Sequence, residues 1–293
     1  MRAALALLAV AVAAGPMAAE VPFESTDAEV ERRWAEGHEL ELAGEFAASS
    51  DVYESLVEKL PDEPHLYWRI ARNHYRMAKQ LALDAREERK REFTMTRDWA
   101  VRGIGADSEC AECYLYKFIG SSRLATNEGL LASARGVKEM AATLDRAFKL
   151  GPTHVDNAWN SELANLYYAA GVFYRSVPDS RVMAWTLGVR GDRKRAIAYL
   201  RRANELVGLR IDYHIELGAA LLCQAHEDDL PESRREGIAV LERIPQLADF
   251  QVTDAIDRRH ARLLIQRPAE ACSYTRESWG DAGEADPASS SGS

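Results

Sequence analysis

Cysteines and long apolar runs are both scarce in this chain of 293 residues. Its four cysteines are too few to build a fold of this size on disulfides. After the N-terminal stretch, no apolar run approaches membrane-spanning length, so we expect no transmembrane segment in the mature protein. Positive charge is also in deficit, since the formal net charge is −9. Such an acidic chain is not expected to bind nucleic acid.

Signatures of catalysis and of metal binding are missing as well. The sequence contains no HExxH motif, P-loop, GxSxG motif or dinucleotide-binding fingerprint, and its seven histidines are scattered. The acidic stretch Glu227-Asp228-Asp229 lacks the spacing of a calcium loop. We therefore predict no catalytic residue, no metal and no cofactor, and a protein that is not an enzyme.

The N-terminus, residues 1–19, has the layout of a secretory signal peptide. Arg2 precedes an apolar run over residues 3–14, and small residues follow up to Ala19. The run is short for crossing a bilayer, although a retained membrane anchor or a buried N-terminal helix are the alternatives. We expect export, and with it a periplasmic or secreted location.

Residues 20–268 repeat one helical spacing. A small or apolar residue is followed after four positions by an aromatic residue or leucine, after three more by an apolar residue, and after five more by proline or glycine. The series start at Ser49, Met140 and Ala196. Helical hairpins cannot bury their apolar faces alone and must stack, and no segment alternates as a strand would. We predict an all-α fold of about five helical hairpins, a capping helix over residues 253–267 and a disordered tail over residues 269–293.

The first unit, with Gly37, Gly44, Phe46 and Pro61 at their spacing, resembles a tetratricopeptide repeat (TPR). Residues 60–205 are similar to the repeat domain of the regulator of microtubule dynamics family. That resemblance rests on Trp68-Arg69-Ile70-Ala71-Arg72 with Tyr75, on Cys113 to Tyr116, on Gly120 and Gly129, and on Leu144-Asp145 to Pro152. The fourth unit resembles the periplasmic TPR subunit of TRAP transporters through Gly188, Gly191-Asp192, Lys194 and Ala196. These resemblances imply a TPR-like right-handed solenoid that serves as a binding scaffold, and the last of them implies a transporter accessory.

The first helix of each stacked pair lines the concave face, which predicts where a ligand binds. Polar and aromatic side chains at those positions fit a peptide or an anionic small ligand, held by Arg69, Arg76 and Lys117. The predicted ligand-binding residues are Trp34, His38, Arg69, Asn73, Arg76, Tyr114, Lys117, Asn165 and Tyr168. The alternative for each residue is that it faces solvent or fills the core. Arg72 stands where a small side chain is expected, which leaves the register of the second unit ambiguous by one residue.

The sharpest local motif is Cys110-Ala111-Glu112-Cys113. Cysteines three apart at the start of a helix form a structural disulfide, buried thiols or a redox pair. A second CxxC pair is absent, which disfavours a zinc site, and Tyr114 stands where covalent haem attachment needs a histidine. No strands flank the motif as they would in a thioredoxin-like protein. We favour a structural disulfide or buried thiols for this pair.

These patterns together predict an exported, non-enzymatic TPR-like adaptor. It would bind a protein, a peptide or a small anionic ligand in its concave groove. A lipid-binding carrier is the first alternative, because the fourth unit is rich in aromatic residues at Tyr167, Tyr168, Phe173 and Tyr174. The second alternative is a thiol-redox protein that uses Cys110 and Cys113.

Overall fold

The computed structural model describes residues 25–128, 134–179, 184–185 and 189–280. The predicted signal peptide and residues 281–293 of the predicted tail lie outside these ranges.

Helices follow one another along almost the whole described chain. The α-helices are α1 (Ala28–Leu42), α2 (Phe46–Leu56), α3 (Pro64–Gln80), α4 (Arg86–Ala106), α5 (Ala111–Glu128), α6 (Ala134–Leu150), α7 (Glu162–Ser176), α8 (Arg193–Leu206), α9 (Ile211–Asp228), α10 (Pro231–Glu242), α11 (Asp254–Gln266) and α12 (Arg276–Trp279). Two 3₁₀ turns span Ile244–Gln246 and Pro268–Ser273. Consecutive helices pack in the pairs α1/α2, α3/α4, α5/α6, α7/α8 and α9/α10, and α11 packs on the last pair. The predicted all-α fold of stacked helical hairpins is confirmed.

Side-chain caps and turn glycines set where several helices begin and end. Asp27 Oδ1 accepts a hydrogen bond from the Glu29 amide at 2.9 Å, which caps the start of α1. Gly44 has φ +82°, so the turn between α1 and α2 uses a backbone conformation that side chains disfavour. Asp192 caps α8 in the same manner, through a 2.9 Å bond from the Arg195 amide.

Glycines in the first helix of several pairs let the second helix approach closely. A Cβ atom on Gly37 would lie 2.7 Å from the ring of Tyr53, and one on Gly171 would lie 2.5 Å from Leu200. Tyr53 and Leu200 are the large residues of the recurring spacing, and both are fully buried. The recurring sizes in the sequence therefore reflect repeated helix–helix contacts of one kind.

A short hairpin separates α6 from α7, where no strand was predicted. Strand β1 (Val155–Asn157) pairs antiparallel with β2 (Asn160–Ser161). It is too short to show the alternation that marks a strand in sequence, and its Asp156 side chain contacts Arg72 and Arg76 of α3. This hairpin supplies a carboxylate to the site described below.

The prediction of a disordered tail from residue 269 is wrong for residues 269–280. These residues form a 3₁₀ turn, a linker and α12, and Tyr274 is almost fully buried. A disulfide joins Cys272 to Cys223 of α9, and Arg276 forms a buried ion pair with Asp257 of α11. A covalent bond and a buried charge pair thus fix a stretch whose composition is that of a tail.

None of the helices in the described ranges is both long and apolar enough to cross a membrane.

Candidate binding site on the concave face

A cavity of ≈ 510 Å³, here called the central cavity, opens among the first helices of successive pairs. Its walls include Tyr75, Arg76 and Lys79 of α3, Tyr116 of α5, Asn165 of α7 and Arg210 just before α9. A smaller cavity of ≈ 80 Å³ shares Tyr75, Tyr116, Asn165 and Arg210 with it and extends toward the end of α5. The two cavities are neighbours, and the central one has a size that suits a small ligand or a peptide side chain.

Glu41 of α1 lies on the wall of the central cavity and binds three arginines of α3. Its carboxylate accepts from Arg69 at 3.0 Å, from Arg72 at 2.8 Å and from Arg76 at 3.1 Å. Burial alone would raise the pKa of Glu41, but the charges of Arg72, Arg76 and Arg69 outweigh it, and the pKa lies below its usual value. Glu41 is therefore ionised at neutral pH and anchors the arginine-rich face of α3.

Arg72 is the centre of this charge network. Its guanidinium also contacts Glu162 of α7 at 2.8 Å and Asp156 of β1 at 2.8 Å, and it lies 4.7 Å from the centre of the Trp68 ring. Burial lowers the pKa of Arg72, whereas Asp156, Glu41 and Glu162 raise it by more, so it stays charged although it is only 1% exposed. The residue that broke the expected pattern of small side chains thus joins α1, α3, the hairpin and α7.

Positive charge is in excess at Lys79 and Arg210, which both line the central cavity. Arg210 donates to both oxygens of Asp212, at 2.9 and 2.6 Å, and Lys79 contacts the same carboxylate at 3.3 Å. Lys79 also donates to Gln251 Oε1. Within the described ranges, Asp212 is the carboxylate that both cations share, so one positive charge is left over for a ligand.

Tyr75 lines both cavities, and the pKa of its hydroxyl shows the effect of the nearby positive charges. Burial raises its pKa, but the positive charges of Lys79 and Arg123 outweigh burial and leave the pKa below its ordinary value. The surroundings of Tyr75 therefore favour negative charge.

The mouth of the central cavity is apolar. Leu42, Phe250 and Val252 border it, and all three are exposed. Phe250 stacks on Trp159 of the hairpin turn, with ring centroids 5.5 Å apart and planes only 6° from parallel. A polar interior inside an apolar rim suits a ligand that carries a charged group next to apolar surface.

The nine residues predicted to bind a ligand fall into three groups. Arg76 and Asn165 line the central cavity, and Tyr168 lines the smaller one. Trp34, His38, Arg69 and Asn73 line neither cavity, and all but the partly exposed His38 are buried. Tyr114 and Lys117 line neither cavity: Tyr114 packs against the core, and Lys117 pairs with Glu139 at 3.2 Å.

An open groove position is wrong for Arg69 and Asn73, which are 0% exposed. Asn73 donates to Ser49 Oγ at 2.9 Å, and Ser49 donates to the carbonyl of Gly37 at 2.8 Å, so this chain of bonds joins α3 to the first pair. Arg69 is held by Glu41 and lies 3.5 Å from His38. Both side chains face the neighbouring repeat, because the charge network turns that side of α3 toward α1.

Lys79, Arg210, Asp156 and Glu162 belong to the site but were not predicted from the sequence. The signal that could have found the two acids was Arg72 itself, since an arginine in a packed helix face needs carboxylate partners.

Both cysteine pairs form disulfides. Cys110 and Cys113 are joined at the start of α5, and both are buried. Cys223 and Cys272 form a second bridge that the sequence analysis did not propose. In the described part of the chain, no group of three or more His, Cys, Asp or Glu side chains is arranged to hold a metal ion.

The aromatic residues of the fourth unit pack mainly on one another and on neighbouring helices. Phe148 of α6 stacks with Tyr199 of α8 at 5.2 Å, and Tyr167 contacts both rings. Phe173 contacts Phe118 edge to face at 5.5 Å. Tyr168 and Phe173 also reach the wall of the smaller cavity.

Comparison with known proteins supports the helical-repeat assignment. The model of the family described as Regulator of microtubule dynamics protein 1-3 matches residues 34–184, just over half of the chain. No curated protein matches the chain significantly. A solved structure of a thermophilic TPR protein from Thermus thermophilus is similar over 80% of this chain and 100% of that chain, with 15% identity and a TM-score of 0.48. The predicted resemblance to the TPR superfamily is confirmed through the family match.

Proposed function

Because the chain belongs to the Regulator of microtubule dynamics protein 1-3 family, a TPR-like helical family, we propose that it is an exported, non-enzymatic adaptor. Its ligand is a peptide or small molecule that carries a carboxylate beside an apolar group, bound in the central cavity. A TPR-like fold is compatible with protein binding, and a peptide segment of a partner protein is the ligand we favour.

The observation that carries this proposal is the pair of cations on the cavity wall. Lys79 and Arg210 share the carboxylate of Asp212, so a ligand carboxylate that enters the cavity meets uncompensated positive charge. The exposed apolar rim at Phe250 and Val252 then covers the neighbouring part of the ligand. Charge-assisted hydrogen bonds are among the stronger contacts available to a buried carboxylate.

A thermal-shift and calorimetry screen tests the proposal directly. The probes are short peptides that end in a free carboxylate next to leucine or phenylalanine, each matched with its C-terminal amide. We expect the carboxylates to bind about tenfold more tightly than the amides, as one charge-assisted hydrogen bond predicts. The variant Lys79→Gln should lose that preference, whereas Lys117→Gln, which lies outside both cavities, should keep it. Equal affinity for acid and amide would refute the proposal.

Native mass spectrometry of the purified full-length protein distinguishes an adaptor from a lipid carrier. A bound mass of lipid size that leaves in organic solvent would replace the peptide by a lipid as the ligand. A bare polypeptide mass is the result expected for an adaptor.

Export rests on the layout of residues 1–19 and is tested separately. We expect the protein purified from a host that processes signal peptides to begin just after Ala19, as read by N-terminal sequencing. An intact N-terminus on protein that stays in the cytoplasm would contradict export and leave the binding proposal standing.

A further inference from the structure

The last described residues lie against helices from both halves of the array. We call residues 274–280 the C-terminal segment. The carbonyl of Tyr274 accepts from Arg175 of α7 at 2.9 Å, and Arg276 donates to Asp257 of α11 at 2.7 Å. Glu277 reaches α4 and α5. The segment therefore spans a surface built by four helices.

Two arginines meet the carboxylate of Glu277. Arg123 lies 3.2 Å and Arg89 3.4 Å from the same oxygen, Oε1. The Arg89 side chain is only 8% exposed, and its Nε has no acceptor among the described residues. One carboxylate neutralises one of the two charges, so this surface attracts acidic groups more strongly than Glu277 alone satisfies.

The aromatic part of the segment contacts α11. Trp279 meets His260 of α11 edge to face at 5.6 Å, and within the segment it packs on Tyr274 at 5.0 Å. His260 Nε2 lies 2.8 Å from the carbonyl oxygen of Gly280. Two arginines thus meet the carboxylate, and His260 meets both the aromatic ring two residues on and the backbone carbonyl that follows it, as in recognition of a short peptide.

This surface adjoins the smaller cavity but is separate from the mouth of the central cavity. Arg123 lines the smaller cavity, whereas the rim at Leu42 and Phe250 lies on the central cavity. The C-terminal segment thus covers a surface that borders the smaller cavity at Arg123 and does not include the apolar rim of the central cavity.

A covalent tether holds the segment in place. Cys272 lies two residues before Tyr274, is exposed, and is bonded to Cys223 of α9. A dithiol reductant can reach it: one thiolate attacks a sulfur of the bridge, the S–S bond breaks, and the second thiolate closes the reductant into a cyclic disulfide. Cys223 and Cys272 each take up a proton and end as thiols.

We propose that the surface beneath the C-terminal segment is a docking site for a partner peptide that carries a carboxylate and, two residues on, an aromatic side chain. The chain's own Glu277-Ser278-Trp279 fills this site while the Cys223–Cys272 disulfide is intact. Reduction of the disulfide lets the partner peptide compete. This inference does not depend on a ligand in the central cavity.

The test uses a labelled, end-blocked peptide with the sequence of residues 274–280, and fluorescence anisotropy. The receptor is the full chain with Cys223→Ser, Cys272→Ser, Glu277→Gln and Trp279→Ala, which weakens the internal segment and leaves both arginines in place. We expect saturable binding to this variant and binding at least about tenfold weaker to the oxidised wild type. Adding Arg123→Gln to the variant, or replacing the glutamate of the peptide by glutamine, should each weaken binding by about tenfold.

Absence of saturable binding to a variant with an unchanged helical circular-dichroism spectrum would overturn the proposal. So would equal binding of the glutamate and glutamine peptides. If the variant does not fold, hydrogen exchange on the wild type decides instead. Reduction with dithiothreitol should then speed exchange of the amides of residues 274–280 by about tenfold or more while α9 stays protected, and unchanged protection of the segment would overturn the tether.

Discussion

The two disulfides should differ sharply in what they contribute to stability. Replacing Cys223 and Cys272 by serine opens a closed loop with a sequence separation of 49. The chain-entropy relation assigns about 4 kcal/mol to a loop of that length. Cys110 and Cys113 are separated by only 3 residues, for which the same relation gives about 2 kcal/mol. Since the first turn of α5 already restricts that short stretch, the actual contribution of the Cys110–Cys113 bridge should be smaller still.

Urea unfolding of the two double-serine variants, followed by far-ultraviolet circular dichroism, measures this difference. We expect the Cys223→Ser/Cys272→Ser variant to lose at least about 2 kcal/mol more than the Cys110→Ser/Cys113→Ser variant. The short pair is the matched control, because each variant removes two sulfurs and one bridge. Equal losses, or a larger loss from Cys110→Ser/Cys113→Ser, would refute the reasoning from loop length.

Three further predictions concern charge and packing. Arg72→Met leaves buried carboxylates without their partner and should lower the free energy of unfolding in urea by about 3–5 kcal/mol. Lys117→Met removes a partly exposed ion pair and should lower it by at most about 1 kcal/mol. Similar losses from the two variants would contradict the charge network around Arg72. Arg123 and Arg276 outweigh burial and lower the pKa of Glu277 to about 2. The stability that Glu277→Gln removes should therefore be fully present above pH ~4.3 and vanish as the pH falls through about 2, so a pH-independent difference would count against the ion pair. In Gly120→Ala the new Cβ would lie 2.7 Å from the backbone of α4, so this variant should lower the free energy of unfolding by about 1–3 kcal/mol. Gly105 faces open space, so Gly105→Ala should raise the free energy of unfolding by about 0.5–1 kcal/mol. Two changes of the same sign would contradict the close approach of α4 and α5 at Gly120.

The helical repeat could be predicted from sequence because its signal is local. Tyr53, Leu200 and Ala203 recur at fixed spacing and are all 0% exposed, so the size of each side chain is set by the helix it meets next in the chain. A contact between neighbours in sequence leaves a pattern within about 34 residues.

The site could be predicted only in part because its pairings are distant in sequence. Arg72 lies 90 residues from Glu162 and 84 from Asp156. Charge at one position does not identify a partner so far away, and the arginines of α3 were therefore expected to be open to a ligand. Arg76 does line the central cavity, whereas Arg69 is buried and donates its hydrogen bond to Glu41 of the protein itself.

The C-terminal segment escaped prediction for a related reason. Cys110 and Cys113 attract attention because they lie three apart, whereas Cys223 and Cys272 are 49 positions apart and show no local spacing signal. Small and polar residues follow Trp279 at once, which hides the burial of Tyr274 and Arg276 just before them.

Contacts between distant parts of the chain change how this array of repeats can unfold. In an open array of repeats each unit contacts only its neighbours, so the terminal units fray first. Here Arg89 donates a hydrogen bond to Glu277, which lies 188 positions later in the sequence. Lys79 likewise donates to Gln251, which lies 172 positions later. Loss of a terminal repeat would break contacts with the opposite half as well, so the repeats should unfold together instead of fraying from one end.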